Sequence, residues 1–470
     1  MELSRALRVQ PGDVVAFTGG GGKTTAMFRL AAEQAALGRR VLVTTSTRIF
    51  AAQIRLAPDH LAFDPARHSL PQLLDDLADR GANPLLLTGP VEPESGKAPG
   101  VSPDLIDALA AGGLFDAILI EADGSRMRPF KAPAAHEPVI PARTTLAVPV
   151  AGLDVLGAPL DEAHVHRAAR VSALTGLPLD RPVTGPAVAR LLTHPGGGLK
   201  GVPAGARVVP LLNKIDLAGT QAESEGREGA RRLPTAAGSG GHPLWDSARA
   251  IAARLLEAPR LQAVAIGAAR AGEPVAEVRG RVAAVVLAAG GSSRFGSPKQ
   301  LAPWGRTTFI ERVVDVALAS QARPVIVVLG AGAEACRRQL GRRPVQVVVN
   351  ERWAEGQSTS MRAGLAALPP NVEGAIFPLV DQPGVPAPVF DALIERHAQT
   401  LAPVVWPEFE GRRGNPVLFD RSLFPEMAAV GGDTGARPVL LRWRASAERV
   451  AVPEAGVVQD FDRPEDLPHP

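Results

Sequence analysis

The chain has 470 residues, with 51 Lys and Arg against 48 Asp and Glu, and nine His. A net charge of +3, with 46% hydrophobic and 21% charged residues, excludes a disordered chain and gives no electrostatic argument for a nucleic-acid partner. The length predicts two or three domains at about 150 residues each. One cysteine excludes a disulfide framework and any zinc site built from several thiolates. No apolar run approaches the ~18 residues of a membrane helix, and the opening MELSRALRVQPGDVVAF lacks the apolar core of a secretory leader. The expectation is a soluble, cytoplasmic protein with no membrane partner.

Only six basic residues are lysines: Lys23, Lys97, Lys131, Lys200, Lys214 and Lys299. Where arginine serves as the general cation, a retained lysine marks a position needing a compact ammonium, for instance on a phosphate. Cys336, in AEACRRQL, has no cationic glycine loop beside it and reads as a small core residue.

Apolar β-type runs alternate with Ala/Leu/Arg-rich helical stretches, so the expected fold class is α/β with largely parallel sheets. Strands are predicted at 13–17, 41–45, 84–88, 117–121, 146–150 and 207–212. The small, polar stretch 218–243 predicts a mobile loop. A boundary is expected near AARAGEPVAEVRG, giving one domain over 1–268, a linker over 269–281 and a second domain over 282–470. In the second domain strands are predicted at 282–287, 325–329, 345–349, 374–380 and 403–406.

VVAFTGGGGKTTAMFRLA (14–31) reads as strand, glycine loop, Lys-Thr-Thr, helix. Backbone N–H groups of Gly19, Gly20, Gly21 and Gly22, with the helix dipole behind them, suit phosphate oxygens. Lys23 would reach the outer phosphates, Thr24 would hold Mg²⁺, and Thr25 continues the turn. The loop departs from the usual G-x-x-x-x-G-K-[ST] spacing, because Phe17 stands where the first glycine belongs. DAILIEADG (116–124) ends a strand in Glu121 and Asp123, which can face Mg²⁺ or cap a loop. VVPLLNKID (208–216) ends in Asn213-Lys214-Ile215-Asp216, the N-K-x-D pattern in which the aspartate accepts hydrogen bonds from guanine. The proline-rich stretch 125–141 carries Arg126, Arg128, Lys131, His136 and Glu137, and suits an anionic ligand or a solvated turn. His164 and His166, two apart, lack an evident third metal ligand.

FTGGGGKTT, VTTSTRIF, IEADGSRMRPFKAPAAHEPVIP, AGLDVLG, HVHR and LLNKID together resemble the YqeC family, over residues 8–268. That resemblance implies an accessory protein of selenium-dependent molybdenum hydroxylases, with an apo-hydroxylase as client. The glycine loop and the N-K-x-D segment lead to the expectation that this domain is P-loop-like, binding GTP or ATP.

VVLAAGGSSRFGSPKQLAPWG (285–305) opens the second domain. Leu287, Ala288, Ala289, Gly290, Gly291, Ser292 and Ser293 keep bulk away from a nucleotide, and Arg294 and Lys299 place two cations beside a triphosphate. The pattern is similar to the MobA-like NTP-transferase family, with a Rossmann-like fold, over residues 282–468. The resemblance implies further roles. Ser358 and Ser360 in EGQSTSMRAGL lie near the nucleotide; Asp381 in FPLVDQPGV binds Mg²⁺ (or Mn²⁺), with Asp460 or Asp462 in VVQDFDRPEDL as second ligand. Arg413, Gly414 and Asn415 in GRRGNPVLFD face a pterin substrate. Asp-Gln-Pro favours the cytidylyl branch. The implied reaction is transfer of CMP from CTP to molybdopterin phosphate. Two rivals remain: another NTP or a sugar phosphate as substrate, and a nucleotide-switched cofactor carrier.

Overall fold

The computed structural model describes residues 1–216, 242–291, 295 and 297–466, so most of the loop expected over 218–243 lies outside the described residues. The chain forms two compact units, Met1–Arg279 and Gly280–Pro470.

In unit 1 the main sheet is parallel. Its strands are β1 Asp13–Gly19, β2 Val41–Thr45, β3 Asp59–Ala62, β4 Leu85–Thr88, β5 Ala117–Glu121, β6 Leu146–Gly152, β7 Leu211–Asn213 and β8 Ala263–Gly267. They lie in the order β3-β4-β2-β5-β1-β6-β7-β8. Strands buried on both faces read as continuous apolar runs, and VLVTT, LLLT and AILIE are all buried or nearly so. Alternation still sorts the side chains. Val14, Ala16, Ile118 and Ile120 pack with Leu73 and Leu77 of the helix Leu70–Asp79, and with Ile106 and Leu109 of Pro103–Gly112. The run expected as one strand at 207–212 breaks into Arg207–Val208 and β7, with Pro210, which has no N–H for a ladder, between them. Pro243 opens the helix Pro243–Leu256, where a first-turn proline loses no needed donor.

The strand β9, Val275–Ala288, begins in unit 1, and unit 2 is built on its residues from Gly280 on together with β10 Val325–Leu329, β11 Gln346–Val349, β12 Val372–Phe377, β13 Val404–Phe409, β14 Val417–Asp420 and β15 Glu448–Ala451. Their order is β11-β10-β9-β12-β14-β13-β15; β14 alone runs antiparallel to both its neighbours. Residues 275–281, expected as linker, are strand instead. Glu277 sits fully buried there between Arg249 and Arg279, so a charged-looking segment is a paired one. On β9, Val282, Ala284, Val286 and Ala288 face Ile310, Val313, Phe390 and Leu393 of the helices Phe309–Ala319 and Ala387–Thr400. Val285 packs on the other face with Met361 of the helix Gln357–Ala366. Cys336 is buried in this core, and burial raises its thiol pKa.

In both sheets the strand that feeds a glycine loop lies between parallel neighbours, so the loops open at the carboxyl edges, where ligands of such sheets collect. In unit 1 the glycines are demanded by packing as much as by any ligand. Gly21 has φ +84, and a Cβ there would stand 2.3 Å from the Gly152 amide nitrogen. A Cβ on Gly22, at φ +117, would stand 2.4 Å from Asn213 Nδ2. Gly21→Ala is expected to destabilise the chain by about 3 kcal/mol, from a strained left-handed backbone plus a forced shift of β6. Chemical denaturation followed by fluorescence checks this; an unchanged midpoint would mean that the loop has another conformation.

Candidate functional site

The loop of unit 1 leads into α1, Lys23–Ala36, with Gly22 as its N-cap. Lys23 is almost wholly buried; its ammonium donates to the Gly19 carbonyl at 2.6 Å and lies 3.3 Å from Asp123 Oδ1 and 3.7 Å from Glu121 Oε1. Thr24 donates to Glu121 Oε2 at 2.6 Å. The two acids expected to act together are therefore separated. Glu121 and Thr24 line an open cleft of about 800 Å³, whereas Asp123 is buried and anchors the loop by accepting from the Gly19 N–H at 3.1 Å. Lys131 lies on the far side of Asp123, 3.0 Å away, and 2.8 Å from Glu137, which also pairs with Arg167 at 2.7 Å. Burial alone would raise the Glu137 carboxyl, but hydrogen bonds and charge from Arg167 and Lys131 bring it down to about 2. Lys131 and Glu137 thus build the loop's foundation, and Arg126 and His136 are left to line the cleft.

Gly22 and Thr25 also line a second, adjoining cavity of about 320 Å³, together with Asp216, Lys214, Asp154 and Arg270. Lys214 pairs with Asp154 at 2.6 Å. Asn213 spends its amide internally, donating to the Gly21 carbonyl at 2.7 Å and accepting from the Ala269 N–H at 2.9 Å. It holds the N-K-x-D segment against the glycine loop. Arg270, which sequence reasoning left in a linker, lines both cavities. His164 and His166 part company: the first pairs with Asp161 at 2.7 Å, and the second is buried at the cleft wall.

In unit 2 a cavity of about 790 Å³ is lined by Leu287, Ala289, Gly290, Gly291, Lys299, Gln300, Ser360 and Asp381 among others. Ala288 points into the core instead. Ser292, Ser293 and Arg294 lie outside the described residues. Lys299 is mostly buried, with its ammonium 3.1 Å from Asp381 Oδ2 and 2.9 Å from Asp462 Oδ1. Asp460 accepts from Gln382 Nε2 at 2.5 Å. Gln300, without an assigned role in the sequence, donates to the Ala288 and Gly290 carbonyls at 3.1 and 2.7 Å and so shapes the loop. Ser360 accepts from Asn350 Nδ2 at 2.9 Å, whereas Ser358 is fully buried and donates to the Gly431 carbonyl at 3.2 Å. Arg413, Gly414 and Asn415, expected on the substrate side, follow the β13 turn: Gly414 N–H donates to the Pro407 carbonyl and Asn415 N–H to that of Val457, both at 2.8 Å. They are not part of that cavity's lining.

Comparison with known proteins fits this division. The model of the YqeC protein family matches residues 15–169, and that of the MobA-like NTP transferase domain matches residues 284–449. The uncharacterized protein YqeC of Escherichia coli K12 is 38% identical over 43% of this chain and 76% of its own length. The chain belongs to the YqeC family and carries a MobA-like NTP transferase domain. Over that second domain, the nicotine blue oxidoreductase of Paenarthrobacter nicotinovorans is 31% identical, covering 40% of this chain and 94% of its own. The molybdenum cofactor cytidylyltransferase of E. coli K12 is 24% identical, covering 39% and 92%. Among solved structures, Rv0371c of Mycobacterium tuberculosis H37Rv is 30% identical over 40% of this chain and 95% of its own, with a TM-score of 0.37. Among the described residues, no helix is long and apolar enough to cross a membrane.

No three His, Cys, Asp or Glu side chains among the described residues form a ready metal cage. The donors of the MobA-like domain nevertheless suit a cation that arrives with its phosphates. Asp381 Oδ1 is buried without a hydrogen-bond partner, and Asp462 lies across the same ammonium. The Asp381 carboxyl is pushed up first by burial and then by Asp460 and Asp462, against the pull of Lys299. The native state therefore binds this proton more tightly than the unfolded chain does. The ionised form costs stability as pH rises above the unfolded value, and the full cost is present above the raised one. Asp381→Asn is expected to leave the melting temperature at pH 7 unchanged or higher, while divalent-dependent turnover falls by about 10²–10³. Thermal denaturation alongside a turnover assay checks both; a melted domain would mark the carboxylate as structural.

Proposed function

We propose that the MobA-like domain transfers CMP from CTP to the terminal phosphate of molybdopterin, releasing pyrophosphate, and that the YqeC domain binds a purine nucleotide, GTP by preference. The observation that carries the transferase reading is Lys299 at the glycine loop, between Asp381 and Asp462. An acceptor phosphate oxygen attacks the α-phosphorus, a new P–O bond forms, and the bond to pyrophosphate breaks in line. No protein nucleophile is required. What opposes the step is repulsion between anions and the charge building on the leaving group.

Lys299 supplies a fixed ammonium at that position, and Gln300 keeps the Gly290 carbonyl turned inward, out of the path of the phosphates. Asp381 and Asp462 would hold Mg²⁺ or Mn²⁺, which supplies Lewis-acid stabilisation of the phosphate oxygens. With the nucleotide bound, Lys299 exchanges its two carboxylates for phosphate oxygens. CTP rather than another NTP is supported by the cytidylyltransferase relative and the Asp381-Gln382-Pro383 sequence.

A second reading comes from the relative named nicotine blue oxidoreductase: the same cleft could take a flat heterocycle for hydride transfer. That chemistry has no need of two carboxylates around a loop lysine, whereas phosphoryl chemistry does, so the transferase reading is preferred. Pyrophosphate release from CTP with molybdopterin, measured against all four NTPs and beside an NAD(P)H oxidation assay, separates the readings. Lys299→Ala is expected to lower turnover by about 10²–10³ with little loss of stability. Wild-type turnover of that variant at saturating CTP would remove the role given to Lys299.

In the YqeC domain the phosphates would take the place of Glu121 beside Lys23, with Asp123 left as the buried anchor, and Asp216 would accept from the guanine N1–H and N2–H₂ in the smaller cavity. Calorimetry on the full chain with Mg²⁺ should show GTP binding lost in Lys23→Ala. Asp216→Ala should weaken GTP by about 1–3 kcal/mol and ATP much less. Equal losses for the two nucleotides would remove the guanine assignment; no binding by the wild type would remove the site.

A further inference from the structure

The cleft of unit 2 is laid along the carboxyl edge of its sheet. Lys299 and Asp381 mark the end beside β9 and β12, and Asn350, directly after β11, supports the other. In the order β11-β10-β9-β12, three inter-strand steps of about 4.8 Å separate the ends by roughly 14 Å. A nucleotide can therefore lie with its phosphates at one end and its base at the other. At the β11 end the walls are Trp353, Gly356, Gln357 and Ser360. The Trp353 indole passes so close to the glycine loop that a Cβ on Gly291 would stand 2.9 Å from its ring, and it offers a flat apolar wall. The Ser360 hydroxyl supplies a polar group there, and a buried network fixes which way it points. Asn350 Oδ1 accepts from the Arg352 N–H at 3.0 Å; a backbone N–H can only donate, so the orientation of the amide is settled. Asn350 Nδ2 therefore donates, to Thr359 Oγ1 at 2.8 Å and to Ser360 Oγ at 2.9 Å. Thr359 passes its own hydrogen to the carbonyls of Arg352 and Gly356, at 3.0 and 2.8 Å. Ser360 already accepts, and among the described residues its hydrogen has no acceptor, so that hydrogen is left for a group in the cleft.

We propose that Asn350 is a positioning residue that holds Ser360 as a hydrogen-bond donor at the base end of the cleft, and that this donor selects cytosine over uracil. The far edge of cytosine presents the N3 lone pair. Uracil carries an N–H at the same place, and two donors would then face each other with neither satisfied. The inference rests on the transferase reading for the placement of the phosphates at Lys299, and adds what reads the base.

The test uses the full-length chain with Mg²⁺. Calorimetry gives dissociation constants for CTP and UTP, and pyrophosphate release with molybdopterin as acceptor gives KM and kcat. The wild type should favour CTP over UTP by at least about tenfold, the scale of one mispaired buried donor. Asn350→Asp keeps the size of the side chain and its contact with the Arg352 N–H, but its second oxygen accepts from both hydroxyls. Ser360 then turns its hydrogen away from the cleft and offers a lone pair. The preference should collapse or pass to UTP, through KM and the dissociation constant, with kcat little changed. Ser360→Ala should make the two pyrimidines nearly equal, and in that background Asn350→Asp should not alter their ratio further. A merely structural Asn350 would weaken both nucleotides alike in Asn350→Asp, and that result overturns the proposal. So does equal binding of CTP and UTP by the wild type, or a Ser360→Ala chain that keeps the wild-type ratio; this last variant decides the matter if Asn350→Asp does not fold. Equal use of the two nucleotides with pyrophosphate still released would leave the transferase reading standing. An Asn350-dependent preference in binding with no pyrophosphate released would sink the transferase reading and leave this one, and no pyrimidine binding at all would remove both.

Discussion

A lysine ammonium withdrawn from water needs compensating charge close by, and both halves of this chain meet that need at the mouth of a glycine loop. Lys23 rests against Asp123, Glu121 and the Gly19 carbonyl, and Lys299 against Asp381 and Asp462. A buried charge without partners costs several kcal/mol, so each lysine is stable only because the acids are there. The acids are placed in turn by strand order. In unit 1, β5 lies beside β1 with Glu121 level with Phe17; in unit 2, Leu287 and Leu379 form a bridge just before Asp381. Each ammonium is compensated as it stands.

The buried ion chain of unit 1 extends further than its counterpart. From Lys23 it passes through Asp123 to Lys131, and through Glu137 to Arg167. Every member lies next to one of opposite sign, so none can be neutralised alone without leaving a partner uncompensated. The carboxyl of Glu137, brought down to about 2, measures how strongly its two cations hold it. That frame braces the glycine loop through the Gly19 N–H held by Asp123. Asn213 adds the last constraint by tying the loop to the segment that carries Lys214 and Asp216.

Much of this fold was legible in the sequence because parallel strands buried on both faces leave unbroken apolar runs. The strands at 41–45, 117–121 and 325–329 are found at those residues. β3 reads as DHLA, with two charged or polar residues in four, and β15 as ERVA; both lie at sheet edges, where one side of the ladder is open and the apolar signal is weak. The tail of the expected linker became strand because Glu277 is paired inside the protein, a fact that depends on Arg249, 28 residues away. The glycine loops and their lysines were visible as local patterns. The hydrogen bonds that set them, from Gln300, Asn213 and Asp123, join residues distant in sequence, and one-letter spacing carries no such geometry. For the same reason Ser358 and Ser360, neighbours in one motif, divide into a core contact and a cleft contact. On a helix, positions two apart point in different directions.

The second half has relatives named as an oxidoreductase and as cytidylyl- and guanylyltransferases, and its fold alone decides nothing between redox and transfer chemistry, since one scaffold supports many chemistries. The decision belongs to the side chains at the carboxyl edge. A site for hydride transfer gains little from anionic groups near the reacting carbon. Asp381 is kept there at a cost, buried enough to raise its proton affinity and with one oxygen unpartnered. A carboxylate that penalises the empty protein is understandable where a bound cation removes the penalty. In that case the same group that weakens the free chain strengthens the complex with a metal-bound triphosphate, which makes Asp381, more than the glycine loop beside it, the residue on which the phosphoryl-transfer reading turns.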